Sequence, residues 1–211
     1  MSTEPPTIRL AISAAVMLLA GPLVAACTTT AGGTPTSVTT SDAPTSATSG
    51  EAPGEGAPPV ENPLDAGIFI EQPCTTLTQD QLSTLGVSRP GVPTTSGAVA
   101  ERAGPYCTWL ISEQGGAIGI GFITGNKNGL SDNYRAREEF AYFEPTTVEG
   151  YPAVFSDRSD LRDSGSCSLF VGIADTLTIL ATETGQLDAQ GACDRAKQVA
   201  AAAVTTMGGG G

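Results

Sequence analysis

The stretch Cys167-Ser-Leu-Phe-Val-Gly-Ile-Ala174, then Asp175, then Thr176-Leu-Thr-Ile-Leu-Ala-Thr-Glu183 carries two apolar runs rich in β-formers, separated by a single polar residue. Runs of this length and composition on either side of a tight turn read as two antiparallel strands. Downstream, an alanine-rich segment from about Ala192 to Met207 places Ala196, Val199, Ala200 and Val204 at helical spacing. A hairpin that needs a cover, followed by a helix with one apolar face, sets the pattern for the rest of the domain.

Upstream the pattern recurs. Pro105-Tyr-Cys-Thr-Trp-Leu-Ile-Ser112 alternates, as does Ala117-Ile-Gly-Ile-Gly-Phe-Ile-Thr124, and Gly115-Gly116 lies between them, so the two form a second hairpin. Gly119 and Gly121 leave one face of that second strand nearly bare, which calls for a closely packed helix or an approaching ligand. Thr78-Gln-Asp-Gln81 has the form of a capping box, with Leu82 and Leu85 on one helix face and Gly86 as the stop. Leu130 to Tyr142 reads as a helix, and Glu144 to Phe155 as strand, turn, strand with the break at Gly150-Tyr151-Pro152. Asp157 to Gly165 is polar loop. The order predicts one α+β domain over 64–207: an antiparallel sheet of about five to six strands, helices mainly on one face, and a short glycine tail at 208–211.

Ahead of that domain the chemistry changes. Arg9 precedes Leu10 to Ala20, an apolar run of signal-peptide length and too short to span a bilayer comfortably. Val24-Ala25-Ala26-Cys27 follows, which resembles the bacterial lipobox, so residues 1–26 read as a lipoprotein signal peptide and Cys27 as the lipidated first residue of the mature chain. Each buried CH₂ of an acyl chain stabilises by about 0.8 kcal/mol, and two chains make the anchoring stable where one is marginal. Residues 27–63 then form a Thr/Ser/Pro/Gly-rich tether with no Lys or Arg. It lacks the apolar surface to offset chain entropy, and as a flexible coil it spans roughly 35 Å. The chain is thereby expected at a cell membrane, lipid-anchored on the extracytoplasmic face.

Besides Cys27 there are four cysteines, Cys74, Cys107, Cys167 and Cys193. An even number in an exported domain reads as two disulfides. Sequence alone permits three pairings. The expectation is the sequence-local one, Cys74–Cys107 with Cys167–Cys193, each closing a loop of about 30 residues and contributing on the order of 3.5 kcal/mol in the chain-entropy model. The chain has no histidine and no C-x-x-C spacing, so tetrahedral zinc is not expected, and no cofactor is implied. A net charge of −12 argues against nucleic acid as a partner.

For catalysis the inventory is thin. Without histidine, Ser-His-Asp and Cys-His systems are absent, and Lys127 and Lys197 sit in no S-x-x-K motif. Glu138, Glu139, Glu144 and Glu149 lie close enough in sequence to supply a carboxylate pair, although a solvated face is the plainer reading. Asp157, Asp160 and Asp163 suggest calcium, but their spacing departs from the D-x-D-x-D-G loop, and Arg158 and Arg162 compete as counter-ions. Trp109 shares a strand face with Cys107 and is assigned to the core. Tyr106 points the other way and is the better candidate for an exposed contact.

Taken together, Pro73-Cys74, Leu77-Thr78, Leu85-Gly86, Cys107-Thr-Trp109, Val148-Glu-Gly-Tyr-Pro-Ala153, the strand opened by Cys167, and Cys193 leading into an Ala-rich helix resemble the actinobacterial lipoprotein family called domain of unknown function 3558. The resemblance spans nearly all of the folded part. It implies an envelope lipoprotein with no assigned activity and no catalytic residues to carry over. The expected function is a non-enzymatic ligand- or protein-binding or accessory module, whose partner is an envelope protein or wall polymer. The alternatives are a carboxylate-dependent hydrolase acting on envelope glycans and a structural envelope lipoprotein without a small ligand.

Overall fold

The computed structural model describes residues 56–111, 115–185 and 187–209. The expected signal peptide, Cys27 and most of the expected tether lie outside these residues. In chain order the elements are α1 (Gly67–Glu71), α2 (Gln79–Thr84), β1 (Val92–Thr94), α3 (Ala98–Arg102), β2 (Tyr106–Ile111), β3 (Gly116–Ile123), α4 (Leu130–Arg135), β4 (Tyr142–Val148), β5 (Tyr151–Asp157), β6 (Ser166–Ala174), β7 (Leu177–Thr184) and α5 (Ala189–Met207). The seven strands make one antiparallel sheet in the order β1-β2-β3-β7-β6-β5-β4. The fold is α+β as expected, with one strand more than the upper expected count.

Alternation decides which face is covered. In β6 the side chains of Cys167, Leu169, Val171 and Ile173 are buried, with Ile179 and Ala181 of β7 and Ile118, Ile120 and Phe122 of β3 beside them. Across this face lies α5, which presents Ala192, Ala196, Val199, Ala200 and Ala203, all fully buried. Alanines on the inner stripe let helix and sheet approach closely. The side chain of Asp188 caps α5 by accepting from Gly191 N at 2.8 Å.

The capping box at Thr78 forms as its residues require: Thr78 Oγ1 accepts from Gln81 N, and Thr78 N donates to Gln81 Oε1. Gln81 does more than cap. Its Nε2 donates to Ala202 O at 3.1 Å, and its Oε1 accepts from Thr206 Oγ1 at 3.0 Å, so one side chain caps the start of α2 and ties it to α5. Gly86, at φ +77°, follows the helix where an L side chain would be strained.

Disulfides join Cys74 to Cys107 and Cys167 to Cys193, across sequence separations of 33 and 26. Both sit on the covered face. The first pins the short 3₁₀ turn Pro73–Thr76 to β2; the second pins α5 to β6.

Three expectations shift in detail, and two elements appear that none covered. The helix expected from Leu130 to Tyr142 is only α4 plus a 3₁₀ turn at Arg137–Glu139, because Tyr142 and Phe143 are drawn into an edge strand, where Tyr134 packs edge-on to Phe143 at 5.0 Å. The break between β4 and β5 falls at Glu149–Gly150, both at positive φ as a two-residue hairpin turn requires, and Pro152 stays inside the strand. Strand β1 and helix α3 had no clear signal in the sequence. Residues 56–63, expected within the tether, are seated on the domain: Ala57 N donates to Ser131 Oγ, Val60 N to Asp175 Oδ1, Tyr151 Oη to Asn62 O, and Val60 itself is buried.

Both outer strands of the sheet contain proline, Pro93 in β1 and Pro145 in β4. A residue without an N–H weakens an edge as a template for further strand addition.

Candidate functional site

On the sheet face opposite α5, coverage stops half way. Over β5 and β6 the face is closed: the space a Cβ would take at Gly172 is bounded by Leu130 Cβ at 3.3 Å and by Pro152 Cγ and Val60 Cγ2 at 3.5 Å. Over β2, β3 and β7 it is open. There β3 presents Ala117, Gly119, Gly121 and Ile123, paired with Leu110, Thr108 and Tyr106 of β2 on one side and with Thr184, Thr182, Leu180 and Thr178 of β7 on the other.

The two glycines turn this part of the sheet into a trough one strand wide. Its floor is Gly119 and Gly121, its walls are Tyr106 and Thr108 against Leu180 and Thr182, and Val99 and Ala103 of α3 with Ile123 close one side; the cavity is about 260 Å³. The glycines have different reasons. At Gly119 a Cβ would come within 2.7 Å of Thr182 Oγ1, so this glycine makes room for a neighbouring side chain. At Gly121 the nearest side-chain atom is Tyr106 Cβ at 3.3 Å, and the space above is open. Among the described residues no helix packs closely over the pair, although a packed helix was one of the two expected reasons for them.

Apolar surface continues beyond the trough. Leu110, Val92 and Val99 are 49 %, 59 % and 60 % exposed, and all three belong to the elements that border it. Leu110 lies two residues along β2 from Thr108 on the same face, and Val92 of β1 pairs with Thr108. Among the described residues no carboxylate, ammonium or guanidinium lines the cavity, in a chain of net charge −12.

A second concavity, about 330 Å³, lies between α5 and the β4–β5 edge and is lined by Glu144, Phe155, Arg162, Gln190, Asp194 and Lys197 among others. Its charges are committed to neighbours. Arg162 bonds Glu144 Oε1 at 2.8 Å and both oxygens of Asp160, and its guanidinium stacks 4.0 Å from the Tyr142 ring centroid. The Arg162 hydrogen bonds pull the Asp160 carboxyl down to about 2. Asp194 accepts from Gln190 Nε2 at 2.8 Å, and Lys197 Nζ donates to Thr146 Oγ1 at 3.2 Å.

The carboxylates singled out in the sequence are not gathered into one place. Glu138 pairs with Arg137 and Glu139 with Arg158, Glu144 lines the second concavity, and Glu149 sits in the β4–β5 turn. Asp157 accepts from Ser168 Oγ, Asp160 pairs with Arg162, and Asp163 lies in a 3₁₀ turn. Among the described residues no three potential ligands converge on a metal position. Trp109 is buried against the Cys74–Cys107 bridge and the backbone of Gly91. Tyr106 lies in the trough wall.

With the trough and the four cysteines in place, comparison with known proteins becomes informative. The family model described as protein of unknown function (DUF3558) matches residues 22–206. The chain belongs to this family. The matched span covers both disulfides, the C-x-W strand and all of the trough, and it begins ahead of Cys27. No curated protein and no solved structure matches. The DUF3558 description assigns no activity, so any function for this chain must be argued from its own surface.

The sequence did not single out Val99, Ala103, Leu180 or Thr182 as site residues. Their signal is weak: Leu180 and Thr182 are ordinary strand residues until register sets them beside Gly121 and Gly119.

Proposed function

We propose that this DUF3558 chain is a cell-envelope lipoprotein, processed ahead of Cys27 and lipidated there, whose domain is a non-enzymatic binding or accessory module. The observation that carries the reading is the charge-free trough over Gly119 and Gly121, bordered by three exposed apolar side chains on the uncovered half of the sheet. A contiguous apolar surface of this kind is costly to leave in water and marks an interaction site. The hydrolase reading finds less support. It needs two carboxyls facing one cleft and free to exchange protons, whereas Glu144 and Asp194, which share the second concavity, are hydrogen-bonded to Arg162 and Gln190.

The test is site-directed photocrosslinking in cells, with benzoylphenylalanine introduced at Thr108 in the trough wall or at Glu138 on the far edge. Discrete, reproducible adducts from position 108 and none from position 138 are expected. Equal adduct patterns from both positions, or none from either, would remove the trough as the contact surface.

A further inference from the structure

We propose that the group seated in the trough is a single uncharged alkyl chain, contributed by a neutral lipid. The proposal rests on the reading of the trough as the domain's binding surface, and it names the chemistry of the occupant.

Three properties of the trough select that chemistry. Its width is set by strand spacing: β2 and β7 flank β3 at about 4.8 Å on either side, and with Thr182 Oγ1 occupying the space at Gly119 the opening centres on Gly121 and admits one slender chain. Its volume of about 260 Å³ falls just below the 300–1,000 Å³ usual for sites that enclose a whole drug-sized molecule. The occupant is therefore slender. Its lining bears no charge, so an ammonium, phosphate or carboxylate brought to the floor would be desolvated without a counter-ion.

The choice between an alkyl chain and an extended peptide follows from hydrogen bonding. The floor is the face of a sheet, not its edge. Backbone groups of β2, β3 and β7 are already spent on one another through continuous ladders. A peptide backbone laid on that face would find few partners for its N–H and C=O groups, chiefly the hydroxyls of Tyr106, Thr108 and Thr182. An alkyl chain has nothing to satisfy. Val92, Val99 and Leu110 extend the apolar surface outward, giving the chain a path from floor to rim.

The test uses the full chain carrying Cys27→Ser, titrated with monoacylglycerols of six to twelve carbons below their aggregation limits. The comparison ligand is a neutral apolar pentapeptide, acetyl-Ala-Leu-Val-Leu-Ala-amide. Binding is expected to tighten about fourfold for each added CH₂ until the trough is filled. It should weaken by about tenfold or more in Gly121→Val, which raises the floor, and in Thr108→Asp, which puts a charge in the wall. Thermal melts of both variants check that the fold is kept; Thr108 is only half-buried, so the second variant remains informative if the first unfolds. Binding of the peptide without the monoacylglycerols overturns the alkyl assignment and leaves the binding-module reading standing. Monoacylglycerol affinity that does not depend on chain length, or is unchanged in both folded variants, overturns the alkyl assignment and the trough as its site together. No binding of either ligand overturns the assignment as well.

Discussion

Glu183 closes the apolar strand β7 and faces the covered side of the sheet, where it is 2 % exposed. Its Oε2 has no hydrogen-bond partner among the described residues, and burial pushes its carboxyl above the usual 4.5, with Arg195 offsetting part of the rise. The folded state therefore holds this proton more tightly than the unfolded chain. The stability linked to it is fully present below about pH 4.5 and is lost as pH rises through the raised folded value. Glu183→Gln is expected to remove that loss and to stabilise the protein at pH 7.5 by roughly 1–3 kcal/mol, with little effect at pH 4. Thermal melts at the two pH values check it; equal shifts at both would show that the charge is not the cost. This burial is not legible in the sequence, because a glutamate after Thr182 looks like the polar end of a strand. Trp109 was legible by contrast: alternation from Cys107 placed it on the disulfide side, and it is 1 % exposed there.

At the scale of elements, legibility followed apolar periodicity. The hairpins β2–β3 and β6–β7 and the helix α5 were readable because each carries enough alternating or helical apolar positions to fix both type and facing. Helix α2 was readable from its cap, whose Thr78 and Gln81 satisfy each other's orphan groups. Strand β1 was not, since Val-Pro-Thr is three residues long and its proline argues against a strand anywhere except an edge. Residues 56–63 read as tether because their Pro and Gly content matches what precedes them; what seats them is Val60 on Gly172 together with hydrogen bonds to Ser131 and Asp175, partners more than 70 positions away. The trough was half legible. Gly119 and Gly121 announced a bare strand face, but only the order β2-β3-β7 shows which side chains form its walls and that no helix fills it.

For the whole molecule, one covered and one half-open sheet face give the domain a direction. Ala57 and Val60, near the start of the described residues, lie on the same face as the trough, on the β5–β6 side. With the anchor proposed at Cys27, the chain would be held at a membrane through the residues between Cys27 and the domain. Cys27→Ser is expected to leave the domain folded and to abolish both membrane retention and labelling by radioactive palmitate; a Cys27→Ser protein that still takes up palmitate would contradict the anchor.

The most direct test of the central claim, that the open half of the sheet is the binding surface, is hydroxyl-radical footprinting of the full chain in its native membranes against the purified chain. Protection confined to Tyr106, Leu110, Ile123 and Leu180, with Tyr142, Phe155 and Leu161 unchanged, is the predicted result. Unchanged reactivity at the trough, or protection that falls instead on Tyr142 and Phe155 beside the Glu144–Asp194 concavity, would contradict it.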